Sequence, residues 1–224
     1  VKKYSDYVRW PIRTDVETTE KYKTGEVDEA GIQKMGVRTV TKEEVINSMI
    51  PIWKRRKSEV SEEEYNEFYK SDFHDYANPL RTISIHAEGT LSYDALLFIP
   101  SHAPYDLYSK DYKKGLALYA SNVLIMEKCE ELLPDYFNFV RGVVDSQDLT
   151  LNISRETLQH NGQLRAIAQK LEKKIKSDLL KMLEDDREAY EGFFKDFGRG
   201  IKYGIYSSYG MDADKLSDLL LSLI

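Results

Sequence analysis

The sequence predicts a mixed α/β (α+β) fold in which a sheet-containing first part is followed by helices. Two observations predict it. Short apolar runs with strand character recur through the first part, in segments 82–86, 95–99, 116–120, 122–126 and 140–144. Beyond residue 163 the apolar residues instead recur at every third or fourth position, which is the spacing of a helix with one buried face. The 224 residues are long for one compact domain and short for three, so we expect one large domain with a small satellite. No internal repeat is evident.

Two further elements are predicted ahead of these strands. Segment 22–42 is rich in Thr, Gly, Glu and Lys and has no apolar period, which predicts a charged loop or a hairpin arm. Ser61 and Glu64 form a Ser-x-x-Glu capping box, in which each side chain bonds the other residue's backbone N–H, so a helix is predicted to begin there. The aromatic residues at helical spacing in it are Tyr65, Phe68 and Tyr69.

The second part contains three helical patterns. The apolar positions of the first are Leu164, Ile167, Leu171, Ile175, Leu179 and Met182. Those of the second are Tyr190, Phe193, Phe194, Phe197 and Ile201, and those of the last are Leu216, Leu219, Leu220 and Leu223. We therefore divide the chain into a large sheet-containing unit over residues 1–160, a helical connector over 161–184 and a small C-terminal unit over 185–224.

Composition limits the classes of function. The 224 residues are 42% hydrophobic and 31% charged, which is enough to form a core under a heavily charged surface. A net charge of -6 argues against nucleic acid or an anionic membrane as the partner of the whole surface. No apolar run approaches the roughly 20 residues that span a bilayer. The single cysteine, Cys129, favours a reducing, cytoplasmic compartment. The first residue is not Met, which suggests a piece of a longer chain.

No self-contained active site is visible in the sequence. A Gly-x-x-x-x-Gly-Lys-Ser/Thr phosphate loop is absent, and the glycines from Gly198 to Gly204 follow a helix at the wrong spacing for a dinucleotide site. The four histidines have no metal-ligand spacing with one another or with Cys129, so we expect no metal site. We therefore expect that the chain is not an enzyme by itself.

Segment 145–160 differs from the rest of the chain. It begins with turn-forming residues, and Ser154 then suits a helix N-cap. Arg155 would follow in the first helical turn, where a cation opposes the helix dipole at a cost of up to about 1 kcal/mol. Such a misfit can mark a residue set by function, and an Arg there could reach a phosphate on a neighbouring domain, with Gln159 one turn later on the same face. The alternative is an exposed Arg155 paired with Glu156 or solvent.

The same residues carry a resemblance to a known family. The run Val144-Asp-Ser-x-Asp-Leu-x-Leu-Asn-Ile-Ser-Arg-Glu-x-Leu-Gln159 closely resembles the signature of the middle domain of heat-shock protein 90 chaperones. Further stretches resemble the family in the expected order, among them Tyr7–Ile12, Pro51–Trp53, Glu63–Tyr69, Phe98–Pro104 and Phe139–Gly142. The short stretch before Pro51 resembles the bacterial high-temperature protein G branch. Thr150 departs from the pattern, since many members carry Pro there, and it leaves the loop freer.

The resemblance implies an architecture and a role. The family's middle domain has a large α/β/α layered part, a helical connector and a smaller α/β part, and it lies between an N-terminal ATP-binding domain and a C-terminal dimerisation domain. The Arg matching Arg155 reaches the γ-phosphate of ATP, which is bound with Mg²⁺ by the N-terminal domain. The residues matching Asn152 and Gln159 support that loop. The resemblance thus implies an ATP-dependent chaperone of the stress response, homodimeric when intact, that binds unfolded client proteins and possible co-chaperones.

Client binding and function class leave alternatives open. Trp53 matches an exposed Trp that the family uses to contact clients, but it could equally pack in a local core with Tyr65 and Phe68. For function, one alternative is the transducer domain of a related ATPase of the topoisomerase or mismatch-repair type, which the net charge of -6 disfavours. Another is a plain protein-interaction module without a role in ATP turnover.

Overall fold

The computed structural model describes residues 11–27, 33–47, 49–149 and 161–221. The chain divides into two units, residues 1–50 and residues 51–224. The first unit is an antiparallel hairpin of β1 (Arg13–Val27) and β2 (Gln33–Val45), paired from Arg13 with Val45 to Lys23 with Met35 before the register shifts. Most side chains on both faces of the hairpin are exposed, so neither strand needs alternating apolar residues. For that reason the sequence of segment 22–42 could not distinguish a charged loop from a hairpin arm.

The second unit contains the sheet that the apolar runs predict. Its strands are β3 (Arg81–Ala87), β4 (Tyr93–Ile99), β5 (Leu116–Ala120), β6 (Val123–Cys129) and β7 (Arg141–Ser146). Their order across the sheet is β3-β4-β7-β5-β6, with β7 at the centre. The β5–β7 pair is parallel and the other pairs are antiparallel. Each predicted run overlaps one strand, because a buried strand is a short apolar run bounded by turn residues.

Within the described residues, four α-helices accompany the sheet: α1 (Glu62–Phe73), α2 (Gly162–Asp185), α3 (Arg187–Ser207) and α4 (Ala213–Leu216). Helix α1 begins at the predicted capping box, with both reciprocal bonds between Ser61 and Glu64 formed. All six apolar positions predicted for the first helix of the second part are buried in α2. The sheet, α2 and α3 share one hydrophobic core that extends along the sequence from Ile83 to Leu219. The division at residues 160 and 184 stays a prediction.

Gly142 lies in β7 at the centre of the sheet, where it pairs with Leu97 of β4. This position requires glycine. A Cβ atom there would lie 2.2 Å from the Leu96 carbonyl oxygen and 2.9 Å from Leu97 Cα, both backbone atoms that cannot rotate away. We therefore expect Gly142→Ala to lower the free energy of unfolding by about 3 kcal/mol, measured from urea-denaturation midpoints. The control is Gly192→Ala in α3, where a Cβ would meet no atom within 4 Å; it should raise stability slightly. Equal stability of both variants would contradict the expectation.

Candidate functional site at the end of strand β7

The predicted site residues Arg155, Gln159 and Asn152 lie outside the described residues. The residues on either side of them are described, and they define how the chain leaves β7 and how it enters α2. On the first side, Asp145, Ser146 and Asp148 each make side-chain contacts. On the second side, Asn161 caps α2 by accepting from the backbone N–H groups of Gln163 and Leu164. Both ends of the signature segment are therefore held by specific bonds.

Asp145 is the central residue of this site. It is 1% exposed although it carries a carboxylate. Its Oδ2 accepts from the indole Nε1 of Trp53 at 3.2 Å and lies 3.1 Å from Lys54 Nζ. Its Oδ1 accepts from the backbone N–H of Asn122 at 3.3 Å. A buried carboxylate is tolerated only when it is paired and hydrogen-bonded, and here three groups supply that compensation.

Ser146 and Asp148 fix the strand end against the start of β4. Ser146 Oγ donates to the Ser92 carbonyl at 2.8 Å, and the Ser92 N–H donates to Asp148 Oδ2 at 2.8 Å. The Asp148 N–H in turn donates to Ser146 Oγ at 3.3 Å. Leu149 then buries its side chain in the core at 4% exposure. Residues that the sequence identifies only as turn formers thus bind the chain's exit from β7 to a neighbouring strand.

Trp53 lies in a local core and not on the surface. It belongs to a 3-10 turn, Ile52–Lys54, and is 1% exposed. Its ring lies 4.8 Å from that of Tyr119 and 6.1 Å, edge-on, from that of Phe68. The local-core alternative therefore describes its position, with Tyr119 as a partner that the sequence did not suggest. A contact between Trp53 and client proteins stays a prediction.

In the described part of the chain, neither Cys129 nor a cluster of metal-ligating side chains forms a second site. Burial raises the pKa of the Cys129 thiol to about 12, and its Sγ donates to Glu131, so this cysteine is protonated at neutral pH and is a poor nucleophile. Within the described ranges, no group of three or more His, Cys, Asp or Glu side chains is placed to hold a metal ion. None of the helices there has the combination of length and apolar composition that crossing a bilayer demands.

Comparison with known proteins decides the family. The sequence model described as Hsp90 protein matches residues 13–222. The chain belongs to the Hsp90 family. It is 50% identical to the chaperone protein HtpG of Oceanobacillus iheyensis over 221 residues, which is 99% of this chain and 34% of that protein. The corresponding identity to the chaperone protein HtpG of Bacillus subtilis is 49%. The chain thus spans about a third of the length of the curated relatives it matches.

A solved structure confirms the Hsp90 middle-domain fold. The middle domain of a heat shock protein of Plasmodium falciparum superposes with a TM-score of 0.64 at 26% identity, covering 76% of this chain and 64% of that one. The expected resemblance and the mixed α/β fold class are therefore confirmed. Membership of the Hsp90 family gives no support to the alternative of a topoisomerase or mismatch-repair transducer domain.

Sequence reasoning missed two of the groups that contact Asp145, Lys54 and the Asn122 backbone. Trp53 and Asp145 are 92 residues apart in sequence, and the motif around each gives no sign of the other. One signal was available: Lys54 is the first of four consecutive basic residues and directly follows an apolar Pro-Ile-Trp run, and a cation next to buried residues needs an anionic partner. The sequence could not indicate which of its 38 acidic residues that partner is.

Proposed function

We propose that this chain is the middle segment of an ATP-dependent chaperone, and that Arg155 completes the ATPase site of a separate N-terminal domain. The observation that carries the proposal is the fixed exit of β7: in a member of the Hsp90 family, the signature segment starts from a strand end bound by Asp145, Ser146 and Asp148. A residue that acts on another domain's substrate needs such a rigid base, because its geometry must be set before the domains meet.

The proposed chemistry is electrostatic. ATP and Mg²⁺ are held by the N-terminal domain, and Arg155 contributes a guanidinium whose fork of N–H groups suits phosphate oxygens. Its positive charge stabilises the negative charge that redistributes as the bond to the γ-phosphate breaks. Asn152 and Gln159 are proposed to support the segment that bears Arg155. The chain itself then binds no nucleotide and is half of the active site.

The intact protein is proposed to be a cytoplasmic homodimer that holds unfolded or partly folded clients. An exposed aromatic pair supports the client role, since contiguous exposed apolar surface marks interaction sites: the ring centroids of Tyr203 and Tyr206 lie 6.3 Å apart. Tyr105, Tyr203, Tyr206 and Tyr209 are each more than 60% exposed. Tyr203 also lines a cleft of about 430 Å³ together with Tyr108 and Arg199. Trp53 would be available to a client only after local rearrangement.

Photo-crosslinking in the intact protein tests the placement of Arg155. With Mg²⁺ and an ATP analogue that carries an aryl azide on its γ-phosphate, we expect labelling of the tryptic peptides covering residues 142–165, which adjoin Arg155. Excess ATP should abolish the label, and an analogue with the azide on the adenine should not produce it. The 224-residue chain alone should show no label and no ATP hydrolysis. Labelling confined to the N-terminal domain, or turnover by the chain alone, would count against the proposal.

A further inference from the structure

The ion pair between Lys54 and Asp145 is a poor way to stabilise a fold. The Asp145 side chain is 0% exposed and that of Lys54 is 19% exposed, so both charges are largely removed from water. The desolvation of two such charges commonly offsets their attraction, and apolar residues of similar size often serve stability as well or better. A gain in stability therefore does not explain why this pair is present. We look for its role in the geometry that it fixes.

A neighbouring carboxylate makes this position less favourable still. Asp94 on β4 is paired directly with Asp145 on β7, so the two side chains leave the same face of the sheet at adjacent positions. Like charges at such a pair destabilise a sheet. Asp94 has its own partner, because its Oδ1 lies 2.8 Å from His86 Nδ1. Each carboxylate is thus matched by a separate basic side chain, Lys54 for Asp145 and His86 for Asp94.

Two separate turns of the chain converge on Asp145. The 3-10 turn Ile52–Lys54 supplies the indole N–H and the ammonium group. The two-residue turn between β5 and β6 supplies the Asn122 N–H, and both its residues, Ser121 and Asn122, have positive φ angles of 50° and 69°. Non-glycine residues adopt this conformation at an energetic cost, and they keep it only where their surroundings fix it. The Asp145 carboxylate is therefore the bond between these turns and the end of β7.

Of the three groups that the described residues place on this carboxylate, only Lys54 carries a charge. The indole and the backbone N–H can orient Asp145 but cannot neutralise it. If Lys54 is removed, the buried carboxylate keeps two neutral donors, and it must either take up a proton or move toward water. A proton weakens the bonds that its oxygens accept from Trp53 and Asn122, and a movement breaks them. Either change loosens the end of β7 from which the following residues depart.

We propose that Lys54, acting through Asp145, is a positioning residue for the ATPase reaction: the pair fixes the strand end from which the signature segment departs and so sets where Arg155 can reach. This inference rests on the proposed function of Arg155. Lys54 touches neither ATP nor the reacting atoms. Its effect is transmitted by the placement of one strand end, so removing it should change the rate of the chemical step and leave nucleotide binding intact.

The experiment measures steady-state ATP turnover of the intact protein with Lys54→Met, in the wild-type and in the Arg155→Ala background. In the wild-type background we expect kcat to fall on the order of tenfold, as for a displaced catalytic group, with KM changed less than about twofold. In the Arg155→Ala background, Lys54→Met should cause no further fall. The matched control is Lys176→Met, because Lys176 Nζ lies 3.1 Å from Asp218 and its side chain is 25% exposed. It should leave kcat unchanged.

The possible outcomes separate this inference from the proposed function. If Arg155→Ala lowers kcat and Lys54→Met does not, the positioning role is refuted and the proposed function stands. An equal fall in both backgrounds would show that Lys54 is merely structural. An Arg155→Ala variant with unchanged kcat would refute the proposed function and this inference with it. If Lys54→Met fails to fold, Lys54→Met with Asp145→Asn removes both charges. An amide offers one acceptor oxygen where the carboxylate offers two, so one of the Trp53 and Asn122 bonds to this side chain is lost. The kcat of this variant should therefore still be low, and the two changes should cause no further fall in the Arg155→Ala background.

Discussion

Arg155→Ala in the intact protein is expected to lower ATP turnover by about 10- to 100-fold while the affinity for nucleotide barely changes. An arginine finger is worth about 10³ to 10⁵ in the rate of GTP hydrolysis. We expect a smaller effect here, because turnover gated by a conformational step hides part of a chemical effect. The measurement is kcat from a coupled ATPase assay, together with the nucleotide dissociation constant from calorimetry.

Arg155→Lys is the informative companion to that variant. It keeps the positive charge but loses the planar fork that bonds two phosphate oxygens at once, so its turnover should lie between those of the wild type and Arg155→Ala. Turnover equal to the wild type in both variants would favour a plain interaction module. A large loss of nucleotide affinity in Arg155→Ala would instead place this residue in ground-state binding.

Trp53→Ala is expected to lower the free energy of unfolding of the 224-residue chain by about 3–5 kcal/mol. The side chain is 1% exposed, its ring packs on Tyr119 and Phe68, and its N–H is one of the donors to the buried Asp145. Truncation leaves a cavity and an under-bonded carboxylate together. Urea denaturation followed by circular dichroism measures the change. Tyr206→Ala is the control, because that ring is 80% exposed and its loss should matter by less than about 0.5 kcal/mol.

The stability effect determines how a client role for Trp53 can be tested. Trp53→Ala would weaken client binding through unfolding alone, whereas Trp53→Phe keeps most of the buried ring. We expect Trp53→Phe to bind an unfolded protein with unchanged affinity, since the described ring is covered by Tyr119 and Phe68. Weaker binding by Trp53→Phe at unchanged stability would show that the indole reaches the client. A Trp53→Ala chain as stable as the wild type would show that the ring is exposed in solution.

Much of the fold could be predicted because its signals are local. The capping box of Ser61 and Glu64, the six buried positions of α2 and the five strand-like runs each depend on neighbouring residues in the sequence. Periodicity shows which face of an element is buried, and the face predicted for α2 is buried at all six positions. In the next predicted helix, Phe194 is only partly buried. For the hairpin of β1 and β2, the sequence could not decide between a charged loop and a hairpin arm. A two-stranded ribbon that is exposed on both faces has no apolar period to detect.

By itself the sequence determined the family, the fold class and the segment that carries the signature, since these depend on residue order and local spacing. Only the tertiary structure showed which groups Asp145 and Trp53 contact. The sequence predicts Asp145 as a turn former and Trp53 as either a surface or a core aromatic. The fold brings the Trp53 Nε1 within 3.2 Å of the Asp145 Oδ2, although the two residues are 92 positions apart. A polar side chain's role is set by the partner that satisfies it when water is removed, and spacing along the chain carries no information about a partner so distant.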